Sequence, residues 1–288
     1  MTALAEALGG QLGQQVRELR RIAGGDLNDA YAAELEDGAR VFVKTSPHAA
    51  PGAFAGEARG LEWLGEAGAL AVPRVRAVAD EPGSARFLAL EWIDAGTPGA
   101  RTAQELGRGL AELHAAGAPA FGGAHELVLG PLTLPNEPLA AWPEFYARRR
   151  LEPLGRIAAV RGALPGGTTE RLERLIGRLD DLAGPPEPPA RLHGDLWGGN
   201  VMTGRDGRPW LIDPAAYGGH REVDLAMLQL FGAPGEDVFA AYEETAPLSP
   251  GHAERVTLWQ VMPLLAHAAL FGGGWGASAD AAIRRYVP

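Results

Sequence analysis

The residues Leu192-His193-Gly194-Asp195-Leu196-Trp197-Gly198-Gly199-Asn200, followed thirteen positions later by Asp213 in Leu211-Ile212-Asp213-Pro214, constrain this chain more than any other feature. An Asp, an Asn five positions on and a second Asp behind two apolar residues must be brought together by short strands and tight turns. The Gly residues between them leave room for little else. The same spacing suits phosphoryl transfer, in which one Asp accepts a hydroxyl proton while an Asn and a second Asp hold magnesium against ATP phosphates. Asp195 is then the candidate base, and Asn200 and Asp213 are candidate metal ligands, because magnesium is a hard cation that takes oxygen donors. The bland alternative is an Asp/Asn/Gly-rich turn between two strands, since these residues favour turns on their own account.

Composition narrows the possibilities. With 288 residues the chain is long for one domain and natural for two lobes, and 46% apolar residues provide for a substantial core. The 40 Gly and 23 Pro are dispersed, apart from Gly184-Pro185-Pro186-Glu187-Pro188-Pro189, which reads as a short extended linker. There is no cysteine, which excludes disulfides, thiolate catalysis and Cys-ligated zinc. The seven His lack metal-ligand spacing, and a net charge of −10 with no basic run argues against nucleic acid. No apolar run of about 18 residues predicts a membrane span. The N-terminus does not read as a secretory signal, so the cytoplasm is the expected location.

Along the chain, Leu4, Leu8, Leu12 and Val16 predict a helix over residues 1–17. Strands are expected at Leu19 to Ile22, Tyr31 to Leu35 and Val41 to Lys44, the last two joined by an Asp37-Gly38 turn. A helix at 53–66 and strands at Val75 to Ala79 and Arg86 to Trp92 complete a small antiparallel lobe. Beyond Thr102 the pattern is mostly helical: Leu106, Leu110 and Leu113 mark one helix, Pro143 opens a second, and Glu170 to Leu182 reads as a third. Short strands are expected at Val201-Met202 and Trp210 to Ile212, then helices at 221–230, 235–245, 252–271 and 278–286. The expectation is an α+β protein with a nucleotide-binding lobe over 1–92 and a catalytic and acceptor-binding lobe over 93–288.

Further residues fit the same chemistry. In the 53–66 helix, Phe54, Ala58, Leu61 and Leu64 share one face with Glu57. A carboxylate on a buried face needs a cation, and Lys44 at the end of the neighbouring strand is the candidate. Such a Lys–Glu pair fixes a phosphate-binding Lys in kinases. Gly24-Gly25-Asp26-Leu27-Asn28 lies between strands, where Gly25 and Asn28 could fold over phosphates, or simply form a β-turn. The backbone of Glu91 and Ile93, at the lobe junction, could pair with adenine. His193 is expected to hold the loop around Asp195, and Asp224 either to brace that loop or to favour a helix N-terminus. Trp197 should project toward the acceptor, its alternative being a core anchor. His114, Trp259, His267 and Phe271 fall in helical patterns and read as core.

Together these residues resemble the fructosamine kinase (ketosamine-3-kinase) family, on the aminoglycoside phosphotransferase branch of the protein-kinase-like fold. The segment Leu192 to Asn200 resembles the family signature, and its Trp-Gly-Gly-Asn ending sets it apart from generic small-molecule phosphotransferases. Similarity extends to Val41 to Lys44, Gly56-Glu57-Ala58, Trp142 to Leu151, Asp213 to His220 and Gln260 to Phe271, and so covers essentially the whole chain. The resemblance implies a two-lobed kinase-like fold and ATP- and Mg2+-dependent phosphorylation of the C3 hydroxyl of ketosamines. The unstable 3-phosphate then frees the amine, which amounts to deglycation. By resemblance Asp195 is the base, Asn200 and Asp213 the metal ligands, Lys44 the phosphate ligand and Trp197 a sugar platform; the partner is a small-molecule ketosamine or glycated amine. Asp26 and Asn28 depart from the more neutral Gly/Ser-type loop of such proteins. Phosphorylation of an aminoglycoside or other small-molecule hydroxyl, and a catalytically silent nucleotide-binding protein, are the competing readings.

Overall fold

The computed structural model describes residues 2–23, 28–81, 83, 85–232 and 237–288. Gly25 therefore lies outside the described residues.

The first part of the chain runs α1 (Thr2–Leu12), β1 (Val16–Ile22), β2 (Asp29–Leu35), β3 (Arg40–Thr45), α2 (Ala53–Glu66), β4 (Val75–Ala79) and β5 (Phe87–Glu91). The strands form one antiparallel sheet in the order β1-β2-β3-β5-β4. Both faces of this sheet are covered. Phe87 and Ala89 pack with Leu8 of α1 and with Val41 and Val43, whereas Leu88 and Leu90 pack with Phe54, Ala58 and Leu61 of α2. That alternation is the period of two of a strand buried on both sides. It also determines where Lys44 points: one residue on from Val43 and paired with Leu88, it shares the α2 face.

The second part contains α3 (Ala100–Ala115), β6 (Leu127–Leu129), β7 (Leu132–Leu134), α4 (Trp142–Phe145), α5 (Glu152–Val160), α6 (Thr168–Ile176), α7 (Leu179–Leu182), β8 (Ala190–Leu192), β9 (Val201–Thr203), β10 (Pro209–Leu211), β11 (Tyr217–Gly219), α8 (Glu222–Phe231), α9 (Asp237–Thr245), α10 (His252–Phe271) and α11 (Trp275–Arg284). A wider π-helical stretch, Tyr146–Leu151, joins α4 to α5. Among the described residues no helix is long and apolar enough to cross a membrane.

The buried spine of this part is α10, which carries Leu258, Trp259, Val261, Leu265 and Ala269 in the main core. Pro263 lies inside it and has no N–H to give the Trp259 carbonyl. The hydroxyl of Tyr146 fills the gap. It lies 3.0 Å from the Leu258 carbonyl and 3.2 Å from that of Trp259, and accepts the Met262 N–H at 3.2 Å. The hydroxyl thus partners backbone groups that the proline leaves without an intrahelical bond, which buried polar groups need.

The structure departs from the sequence expectations at several ends. α1 stops at Leu12, because Val16 pairs with Leu35 and belongs to the sheet. The helix expected over 170–182 divides into α6 and α7 at Gly177-Arg178, and the last helix starts at Trp275 rather than 278. The β6–β7 hairpin, turning at Gly130-Pro131, was not anticipated. The Pro-rich segment is extended but does not separate two bodies: Glu187 within it bonds Arg221 at 2.7 Å and Ser249 at 2.7 Å.

Candidate active site

β8 pairs with β11, and β9 with β10, and the residues between these short strands converge. The turn after β8 delivers His193, Gly194 and Asp195. One tight helical turn, Gly198–Asn200, closed by Asn200 N–H to the Trp197 carbonyl at 2.9 Å, delivers Asn200. Asp213 follows β10 with φ of 54°, the one non-glycine residue with positive φ among the described residues. A backbone held there is costly and persists only where its surroundings fix it. Two backbone bonds provide this: Ile212 N–H to the Asn200 carbonyl and Ala215 N–H to the His193 carbonyl, both 3.0 Å.

From the sheet side Lys44 reaches the same point. Its Nζ lies 2.5 Å from Glu57 Oε2 and 2.9 Å from Asp213 Oδ1. Burial works against the buried ammonium, but the charges of Glu57 and Asp213 outweigh it and hold the Lys44 pKa above its ordinary value. Burial pushes the Glu57 carboxyl up, and the Lys44 charge opposes that push.

Asp195 accepts Asn200 Nδ2–H on its carbonyl at 2.8 Å and on Oδ2 at 3.2 Å. Burial, reinforced by the nearby Asp213 charge, raises its carboxyl to about 6. His193 is fully committed: Nε2–H donates to the Ile212 carbonyl at 2.9 Å and Nδ1 accepts the Asp195 N–H at 3.3 Å. Asp224 accepts the N–H groups of His193 at 2.7 Å and Gly194 at 2.9 Å. His114 Nε2 lies 3.3 Å from the same carboxylate, and its Nδ1 lies 2.8 Å from the Tyr242 hydroxyl. Burial alone would raise the Asp224 pKa, but His114 and these N–H donors bring it below the usual range.

A cleft of about 970 Å³ runs past these groups, lined among others by Asn28, Lys44, Glu57, Asp195, Trp197, Asn200 and Asp213. Trp197 is 41% exposed, so it is not a core anchor. Its ring lies across Gly199, where a Cβ would come within 2.2 Å of it, so a side chain there would have to displace the ring. Glu91 and Ile93 do not line the cleft, and the Glu91 N–H is already given to the Arg74 carbonyl at 2.8 Å, which leaves it unavailable to a base. His267 and Phe271 prove not to be core: both line the cleft, and Phe271 is 50% exposed. Trp259 and His114 are buried.

Sequence reasoning missed the groups that hold α2. Arg191 of β8 donates to the Trp63 carbonyl, and its guanidinium lies 4.7 Å from the Trp63 ring centroid. At the other end Asp80 accepts the Ala55 N–H at 3.0 Å, while Arg86 binds Asp80 at 2.7 Å and the Ala49 carbonyl at 2.8 Å. None of these residues stands in a motif, so only the folded chain reveals them.

A model of the fructosamine kinase family matches residues 1–288. A crystal structure of a protein from Thermobifida fusca assigned as a fructosamine-3-kinase is 42% identical, with 99% of this chain and 98% of that one covered and a TM-score of 0.91. A chloroplastic protein-ribulosamine 3-kinase of Oryza sativa subsp. indica is 34% identical over 92% of this chain and 78% of that protein. A thermostable mutant of aminoglycoside phosphotransferase APH(4)-Ia, solved with AMP-PNP and hygromycin B, is 17% identical with a TM-score of 0.64, covering 100% of this chain and 99% of that one. That last likeness concerns the fold alone: an antiparallel sheet lobe and a helical lobe in the protein-kinase-like arrangement.

Proposed function

The chain belongs to the fructosamine kinase family, and from that premise we propose that it transfers the γ-phosphoryl group of ATP to the C3 hydroxyl of a ketosamine of the fructosamine or ribulosamine type, leading to deglycation. One observation carries this reading: Lys44, Glu57, Asp195, Asn200 and Asp213 converge on one cleft from positions scattered along the sequence.

In this reading residues 1–92 bind the nucleotide and residues 93–288 the acceptor. Lys44, held by Glu57, takes the ATP phosphates. Asp195 accepts the C3 hydroxyl proton; Asn200 orients one of its oxygens and leaves the other open. Asp224 and His193 keep the loop in place through backbone bonds. Trp197 offers a flat face to the sugar, whose C–H surfaces pack on such faces.

Asn200 and Asp213 fit magnesium. The Asn200 amide nitrogen is occupied by Asp195, so its oxygen is the atom left to donate, and Asp213 brings a carboxylate that half emerges into the cleft. Held there, the ion would neutralise charge on the phosphates. The net charge of −10, with no basic run, supports a small-molecule acceptor rather than nucleic acid. The test is ATP consumption with fructose-, ribulose- and erythrulose-linked lysine against aminoglycosides. Turnover confined to aminoglycosides would replace the ketosamine reading.

A further inference from the structure

The cleft that Trp197 lines is also lined by a cluster of rings that phosphoryl transfer does not require. His267 of α10 stacks on Phe231 of α8, with centroids 4.6 Å apart and planes at 28°. Trp275, the first residue of α11, stands 4.7 Å from His267, and Phe271 stands 5.5 Å from it. All four line the same cleft as Asp195. The cluster is joined to the loop that carries Asp195, because Gly198 N–H donates to the carbonyl of Gly232, the residue after Phe231, at 3.0 Å.

The tautomer of His267 follows from its neighbour. Nδ1 lies 2.8 Å from the Pro263 carbonyl, which can only accept, so Nδ1 carries the proton and Nε2 keeps a lone pair. Burial holds this imidazole below its ordinary pKa, so the ring is neutral near pH 7 and does not repel a cation. The cluster thus offers aromatic faces and one nitrogen acceptor. A cation bearing N–H groups matches both: the π faces attract its charge and the Nε2 lone pair accepts one of its N–H groups as a hydrogen bond. Among hydroxyl acceptors, a sugar joined to an amine carries such a group, a secondary alkylammonium with an aliphatic stem.

We propose that Phe231, His267, Phe271 and Trp275 form a subsite for the alkylammonium part of the acceptor, so that the protein reads the amine as well as the sugar. The subsite rests on the ketosamine reading of the cleft.

The test compares 1-butylamino-1-deoxyfructose with 1-O-butylfructose, which differ in the charge at one atom while both offer the C3 hydroxyl. The quantity read is the ratio of their kcat/KM values. Wild type favours the amine. Trp275→Leu and His267→Leu each lower the ratio about three- to thirtyfold, the range expected for a cation on aromatic faces. Trp275→Phe keeps an aromatic face and retains most of the ratio, whereas loss of packing alone would lower kcat/KM for both sugars together and leave the ratio unmoved in Trp275→Leu as well. A ratio unchanged in Trp275→Leu and His267→Leu, with wild type active on the amine, removes the subsite alone. Wild type inactive on every ketosamine removes the ketosamine reading and the subsite with it.

Discussion

At the scale of single residues the site depends on a few charges placed against burial. Asp195→Asn keeps the shape and removes the proposed proton acceptor. Its turnover should fall by about 10² to 10⁴, with ATP affinity nearly unchanged; a loss under about tenfold in steady-state kinetics would remove Asp195 from that role. Lys44 touches both Glu57 and Asp213, so Lys44→Ala and Glu57→Ala should not add. The double variant should be little worse than Lys44→Ala alone, and strictly additive losses in kcat/KM would reject the coupling. These residues were legible in the sequence because each is chemically costly where it stands. Glu57 on an apolar face demands a cation, and the loop from His193 to Asn200 has little other use for its spacing. The aromatic cluster was not legible. His267 and Phe271 repeat at helical spacing, and that period does not say which side of α10 meets a cavity.

At the scale of elements, α2 contacts both lobes. It belongs to the sheet by packing, yet Arg191 holds its C-terminal end, and Gly60 lies against the segment after Asp213. A Cβ at Gly60 would come 3.3 Å from Ala216 Cβ and 3.4 Å from Pro214 Cγ. Gly60→Val should push α2 away from that segment and loosen the Lys44–Asp213 contact. The expected result is a drop in kcat larger than any change in melting temperature would explain; unchanged kcat in a folded variant would show that α2 tolerates the shift. The Pro-rich segment before β8 provides a pH test. Burial alone would raise the Glu187 carboxyl, but Arg221 and Ser249 bring it from 4.5 down to about 2. A carboxyl depressed on folding contributes stability above its unfolded pKa, and loses it as pH falls toward the folded one. The melting-temperature gap between wild type and Glu187→Gln, open at neutral pH, should therefore close as pH falls from 4.5 toward 2. A gap of constant size would mean that the ion pair contributes nothing. Sequence periodicity found α2 and most long helices. It missed the β6–β7 hairpin and the division of α6 from α7: unlike the equally short β9 and β10, which the catalytic motif marks, β6, β7 and the Gly-Arg break carry too little pattern.

At the scale of the whole molecule, the order of a sheet-rich part followed by a helical part was readable from the change of hydrophobic period, and the fold follows it. Ligand binding should be felt by the entire chain. ATP at about a hundred times its Kd stabilises a folded protein by about 2.7 kcal/mol. Magnesium should enlarge the ATP-induced rise in melting temperature for wild type and fail to do so for Asp213→Ala; an equal magnesium increment in both would remove Asp213 from the metal. The Tyr146 hydroxyl set into α10 beside Pro263 bears on how such a sequence can change over time. Losing Tyr146 first leaves buried backbone groups without partners, at about 1–3 kcal/mol. Replacing Pro263 first restores the N–H that the Trp259 carbonyl lacks, and the hydroxyl is then less needed. Lineages descending from this chain can cross that pair in one order far more readily than in the other, so proline should be given up before tyrosine.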